Sequence, residues 1–502
     1  MNAASADARA SARLVRWLFV RLVGAVFLVA FASLAIQIVG LVGRDGILPA
    51  HRLTEAVAAR LGSARFWRMP TLVWWTGASD GALVGLCIAG AIAAIATIAG
   101  LAPMVTLVTA WACYLSLFHV GQEFLGFQWD LLLLEAGSLA VLWAPLAWRS
   151  RLASDPVPSR LGLWLVRLLV FKLMFLSGVV KLASGDAAWR DLSALTYHFE
   201  TQPLPTWIGW FAHHSPRPLL VVGCATTLAI ELVLPWAIFA GRTGRRGAFL
   251  GFAALMVAIG LTGNYTFFNA LTLVAGLALL DDDDLLRVLP RRSRDRVVRA
   301  LQAPAPEEIS PARWARRVAA ALLIVANVAV VLGPALGALG GPLDWVWRIT
   351  APFASVNGYG LFAVMTKDRP EVVIEGSDDG RQWREYVLPW KPGPLDRRPG
   401  FVEPHQPRLD WQLWFAALNP RGNRRWVTAL LTRLSEGSPA VVALFAANPF
   451  PSAPPRFVRA SLYRYSFTDW ETLRRTGRWW TRELVQPWVT VPPAPFGADG
   501  SG

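Results

Sequence analysis

Lys181 closes a long apolar run and opens onto the connection "GDAAWRDLSALTYHFETQPLPTW", residues 185–207, far longer than a turn requires. Asp186, Trp189, Arg190, Tyr197, His198, Glu200 and Gln202 follow within it, and His213 and His214 lie just beyond. As chemistry, such a set supplies a base, a proton carrier and a carboxylate. The structural alternative is that Trp and Tyr sit at a bilayer interface, where Asp and Arg cap helices and pair. Asn264, in "TGNYTFFN", is a second polar interruption between apolar runs.

Ionisable residues also occur inside apolar runs: Asp130 and Glu135, Arg167 and Lys172, and Glu231. Such groups are costly in lipid and face an interior or a partner. At about 100° per residue, Arg167 and Lys181 lie about 40° apart around one helix, whereas Lys172 and Lys181 lie about 180° apart. One cavity cannot easily hold both lysines. Interhelical ion pairs, such as Glu135 with Lys172, are one reading, and a substrate or proton pathway is the other.

No metal site is expected. Adjacent His213 and His214 diverge by about 100° on a helix. Asp281 to Asp284 resemble a calcium cluster but adjoin an arginine run and read as a solvated helix end. The chain has no GxSxG, no HExxH and no P-loop. No cofactor is expected, and enzymatic activity is left open.

The elements that position these residues are membrane spans. In 502 residues, 54% are apolar and only 17% charged, and the mean hydropathy is +0.40. Soluble proteins carry about 25% charged residues. Apolar stretches near 17–42, 81–101, 104–120, 129–147, 161–182, 218–240, 247–262, 267–280 and 314–338 predict a helical membrane bundle of about nine spans. The first resembles a secretion signal but is too long and lacks a clear cleavage site, so it reads as an uncleaved anchor. Cys87, Cys113 and Cys224 all fall in apolar runs, and no CxxC occurs.

The net charge of +15 does not point to nucleic acid, because the arginines cluster in short connections. "WRSRLASDPVPSR", "GRTGRR" and "LPRRSRDRVVR" all fall on one side, which the positive-inside rule makes cytoplasmic. The opposite side receives 183–217, "VGQEFLGFQW", the Asn264 turn and everything after about 339. One exception, 44–80, carries Arg44, Arg52, Arg60, Arg65 and Arg68 on that outer side.

From about 345 the pattern changes. "RPEVVIEGSDDGRQWREYVLPW" predicts a hairpin turning at Asp379-Gly380, and "RFVRASLYRYSFT" a further strand. "WQLWFAAL" and "RRWVTALLTRLSEG" have helical spacing. The expected organisation is a cytoplasmic N-terminus (1–16), a transmembrane helical domain (17–340), an outer α+β domain with a sheet or sandwich (341–490), and a disordered tail (491–502).

The blocks "FQWDLLLLEAG", "KLASGDAAWRDLSALTYHFETQPLPTW", "TGNYTFFN", "NGYGLFAVMTKDRPEVVIEGSDDGRQWREYVLPWKPG", "RRPGFVEPHQPRLDWQLWFAAL" and "SPAVVALFAANPFPSAPPRFVRASLYRYSFT" together resemble the lipase maturation factor family. The resemblance implies a multi-pass protein of the endoplasmic reticulum membrane, its C-terminal domain in the lumen, that assists folding and assembly of secreted lipases. The Ala/Arg/Leu-rich composition has a bacterial look, which would move the chain to an inner membrane. With no cysteine in the outer domain, no redox role carries over.

A shorter block, "GVVKLASGDAAW", is similar to the lysine-containing segment of the vitamin K-dependent carboxylase-like membrane family. There a lysine near a tryptophan serves as catalytic base, which would make Lys181 the base here.

Two functions follow. One is a maturation or folding factor whose partners are membrane lipids and secreted clients. It would bind them through Trp383, Trp390, Trp411, Trp414, Trp470, Trp479 and Trp480, if these form an exposed patch rather than a core. The other is a membrane enzyme acting on a lipid or quinone-like substrate in a cavity lined by Lys181, Trp129, His198 and Glu135. A transporter has less support, resting on the broken pair at 247–280.

Overall fold

The computed structural model describes residues 12–304, 310–336 and 348–491. Residues 1–11 of the segment read as a cytoplasmic N-terminus, the tail from 492, and the last residues of the 314–338 span lie outside the described residues.

Among the described residues, seven helices are long and apolar enough to cross a bilayer. Five of them are α1 (Arg13–Ala35), α2 (Asp80–Ala99), α3 (Pro103–Val120), α5 (Arg160–Ala183) and α9 (Gly241–Thr262). The other two are α8 (Arg217–Leu232), prolonged by a 3-10 turn to Phe239, and α11 (Ser310–Leu336). Two of the nine runs are shorter helices, α4 (Gln128–Trp143, 16 residues) and α10 (Phe268–Gly276, 9 residues). Helix α4 stops short of 147 because Ala144 turns to extended backbone just before Pro145, a position where proline disfavours helix. The first run is not continuous either. It breaks at Ile36, and Gln37 then donates to the Gln406 carbonyl and accepts from the Arg408 amide.

Between α5 and α8 the long connection forms α6 (Ala194–Thr201) and α7 (Trp207–His213). Thr206 caps α7 by accepting from the Gly209 amide, the ordinary role of a threonine before a first turn.

The C-terminal region holds a four-stranded antiparallel sheet, ordered β2-β1-β3-β4, made of β1 (Arg369–Ser377), β2 (Arg384–Tyr386), β3 (Phe457–Phe467) and β4 (Trp480–Val491). Strand alternation divides its residues between two faces. Val372, Ile374, Val458, Ala460 and Leu462 join the core that includes α12 (Arg408–Leu418) and α13 (Pro420–Ser435). Val373, Tyr465 and Phe467 pack instead with Trp480 and with Trp210 of α7. The second face of the sheet is therefore covered in part by Trp210 of the connection between spans.

The arginine-rich connections gather at the opposite end. Arg21 donates to the Ser150 carbonyl and Arg13 to the Leu152 and Leu301 carbonyls. The aspartate run is not simply solvated. Asp281 and Asp284 pair with Arg242, Arg245 and Arg246, while buried Asp282 accepts the Arg13 and Val15 amides and so caps α1.

One pair ties the two regions together. Arg408 at the start of α12 and Asp130 in α4 are both fully buried and 2.8 Å apart. Removing one member of a buried pair costs about 3–5 kcal/mol, whereas replacing both with apolar groups is often neutral. Arg408→Leu should therefore lower the thermal unfolding midpoint in detergent sharply and expose 400–407 to protease, and adding Asp130→Leu should recover most of the loss. An unshifted midpoint in the single variant would show that the pair does not hold the regions together.

Candidate functional site

The residues singled out in the 185–207 connection meet the C-terminal region side chain by side chain. Asp186 accepts the Ala188 amide, capping a short turn, and its other oxygen accepts the Met365 amide at 2.5 Å. Trp189 donates its indole N–H to the Phe362 carbonyl at 2.9 Å. Glu200 accepts the Phe467 amide at 2.7 Å. Burial pushes its carboxyl above the usual carboxylate range. Fully buried Arg369, the first residue of β1, donates to the Glu200, Gln202 and Pro203 carbonyls at 2.5, 2.5 and 2.8 Å. These are the last carbonyls of α6 and the turn after it, which a helix leaves unpaired. Tyr197 lies beneath Lys367, and Arg190 is exposed.

Asn264 works the same seam. Its amide donates to the Leu204 and Gly400 carbonyls, and its carbonyl oxygen accepts the Val402 amide at 2.7 Å. Glu403 follows, accepting the Tyr265 amide at 2.6 Å and the Asn269 side chain at 3.3 Å. Non-helical backbone at such a bend needs protein partners, and the strap at 400–406 supplies them.

Within the bundle the charges separate into two groups. Glu135 of α4 pairs with Lys172 of α5 at 2.5 Å, and Lys172 also donates to Asn327 of α11. The second Glu135 oxygen accepts the Asn357 amide at 2.9 Å and the Tyr359 hydroxyl at 2.8 Å. Half a turn round α5, Lys181 pairs with Glu231 of α8 at 2.8 Å. Arg167 donates to the Ala278 carbonyl. Asp130 accepts from Tyr114, Gly126, Phe127 and Arg408.

A cavity of about 530 Å³ lies beside Lys181, walled by α5, α6, α8, α9 and Phe362. Trp189 and His198 join Lys181 and Glu231 there, with the ammonium 5.2 Å from the indole centroid. Enclosure, and secondarily the charge of Lys181, pushes the His198 imidazole down to about 4, so it is neutral at physiological pH. The cavity does not contain Trp129 or Glu135, contrary to the sequence-based expectation. Trp129 is buried against Phe127 and Trp411, and Glu135 faces the Lys172 side of α5.

The tryptophans also depart from a single exposed patch. Trp411, Trp414 and Trp480 are buried, Trp383 and Trp479 half-buried, and only Trp390 and Trp470 exposed. Among the described residues, no group of three or more His, Cys, Asp or Glu could hold a metal ion.

Sequence reading missed Arg369, Arg408, Glu403, Asn357 and Asn269. A usable signal existed for two of them: "QPRLDW" and "DRPEVV" place an arginine at the head of an apolar element.

A helical membrane bundle with an α+β domain clamped onto one end defines a multi-pass membrane protein. Its family follows from comparison. Residues 14–287 match the lipase maturation factor transmembrane domain and residues 355–490 the lipase maturation factor C-terminal domain. Human lipase maturation factor 2 is 36% identical, with 95% of this chain and 82% of that protein covered, and the chicken protein of that name is 35% identical, with 95% and 81% covered. Human lipase maturation factor 1 is 32% identical over 94% of this chain and 86% of its own length. No solved structure matches. The chain belongs to the lipase maturation factor family.

The seam carries a pH dependence. Burial pushes the Glu403 carboxyl up from its ordinary 4.5 to about 7, against the opposing bonds from Tyr265 and Asn269. Between those values the folded state holds the proton and the unfolded chain does not, so stability falls as pH rises from about 4.5 to about 7. The effect is at most on the order of 3 kcal/mol. Glu403→Gln should flatten the decline of the melting temperature across that window. A residual slope is expected from Asp282 and Asp410, which burial pushes up to about 6. Identical slopes in the two proteins would rule out Glu403 as the titrating group.

Proposed function

We propose that the protein is a membrane-embedded maturation factor that assists the folding, assembly or secretion of client proteins, lipases by the names of its relatives. On this reading its N-terminus is cytoplasmic. The outer domain lies in the lumen of the endoplasmic reticulum, or in the periplasm if the membrane is a bacterial inner membrane.

The observation that carries this reading is the edge strand β4. It pairs only with β3 among the described residues, and Leu484 and Val485 on it are each 54% exposed. Unpaired strand edges accept extended peptide, with backbone bonds supplying affinity and side chains specificity. Pro487 and two register shifts within the β3–β4 pairing limit the length of strand that this edge can accept. The polar residues of the seam meanwhile hold this sheet rigidly to the membrane, which suits a platform for partly folded chains.

A second reading, a membrane enzyme using Lys181 as base on a lipid or quinone-like substrate, is favoured by the cavity around that residue. Against it, the ammonium donates to both Glu231 oxygens and to the Ser177 carbonyl. A base needs a free lone pair turned to the substrate.

Two variants separate the readings. Leu484→Asp with Val485→Asp should cut the yield of active secreted lipase several-fold at normal levels of the variant in membranes. Lys181→Met with Glu231→Met, which removes the pair whole, should leave that yield unchanged. The opposite pattern would favour the enzyme.

A further inference from the structure

The cavity beside Lys181 has properties that neither domain docking nor the ion pair explains. Its volume of about 530 Å³ falls within the roughly 300–1,000 Å³ of small-ligand sites. Leu173, Met174, Leu220, Ile230, Leu255 and Phe268 make its walls predominantly apolar. Two of the enclosing helices, α8 and α9, are among the least buried of the spans, with Leu219, Val222, Leu250 and Val257 exposed. The cavity therefore lies just inside the bundle's lipid-facing edge. A dry cavity of about 150 Å³ takes one benzene, so by that scale this one holds on the order of twenty carbon-sized atoms, enough for one acyl chain.

Its polar atoms select the headgroup. The Lys181 ammonium has three hydrogens, and the two Glu231 oxygens and the Ser177 carbonyl take them all. No cation is left for a carboxylate or phosphate. Spare acceptors remain instead. Asn269, on the cavity wall and 5% exposed, donates its amide to Glu403, which orients the group and leaves Oδ1 buried without a partner. The Tyr265 hydroxyl donates to Gln202, so it can accept only from His198 Nε2 at 3.3 Å, which leaves Nδ1 as an acceptor. A buried acceptor without a partner, as Asn269 Oδ1 is, favours a ligand that donates.

We propose that this cavity binds a single-chain lipid with a neutral hydroxyl headgroup, of the monoacylglycerol type, its hydroxyls donating to Asn269 and His198 and its chain lying between α5, α8 and α9. The inference goes beyond the maturation reading and does not depend on it.

The test measures binding of radiolabelled 1-mono-oleoylglycerol and of oleate to the full-length protein in detergent near neutral pH. Saturable binding of the glyceride is expected, with about ten-fold preference over oleate, the factor that one satisfied buried acceptor supplies. Ile230→Trp on α8 and, separately, Leu255→Trp on α9 fill the cavity and should abolish binding. Melting temperature identifies whichever variant is folded. Asn269→Leu and His198→Phe should retain chain binding but lose most of the preference. Absence of saturable binding, equal or tighter binding of oleate, or undiminished binding to a folded cavity-filled variant would each overturn the proposal.

Discussion

The structure depends on one buried guanidinium. Arg408 has no contact with solvent and reaches Asp130, the Phe124 carbonyl, the Tyr114 hydroxyl and Gln406. An arginine cannot shed its charge in a protein, so α12 can sit against the bundle only where these acceptors converge. Asp130 is constrained in turn, since a carboxylate in a membrane helix needs a partner. Each group makes the other's position obligatory. Such a pair contributes less to net stability than to the uniqueness of the arrangement.

From that anchor the rest of the seam follows. Gln37 interrupts α1 to meet Gln406 and Arg408, Ser33 bonds His405, and Asn264 and Glu403 bind the strap at 400–406 to the bend after α9. On the far side Arg369 caps α6, and Trp414 donates to the Thr201 carbonyl. Sheet and bundle thereby share one core through Val372, Ile374, Val458, Ala460 and Leu462, while Trp210 between the spans packs on the sheet's other face.

Inside the bundle the same economy of charge has a different result on each side of α5. Fully buried Lys172 is drawn into a network with Glu135, Asn327, Asn357 and Tyr359. Lys181 is neutralised by Glu231 at the edge of a cavity, so an apolar chamber coexists with a buried ion pair. The cavity lies where α8 and α9, two of the least buried spans, meet α5.

Much of this was legible from residue order. Hydropathy located the helices and arginine placement divided the connections into two sets, since span length and loop charge are local properties that need no partner. The hairpin at Asp379-Gly380 and helices α12 and α13 were equally visible, because turn chemistry and periodicity act within a few residues. Half a turn between Lys172 and Lys181 already separated the two ion pairs. Other features had no local signal. Strand β4 is mostly exposed and carries a proline, so alternation is faint there. Pairings such as Arg408 with Asp130, 278 residues apart, arise only when helices and sheet pack together. The sequence by itself determined which groups must find partners, because ionised and polar groups cannot remain bare in lipid. Only the tertiary structure decided which partners they found, because that depends on faces brought together from hundreds of residues away.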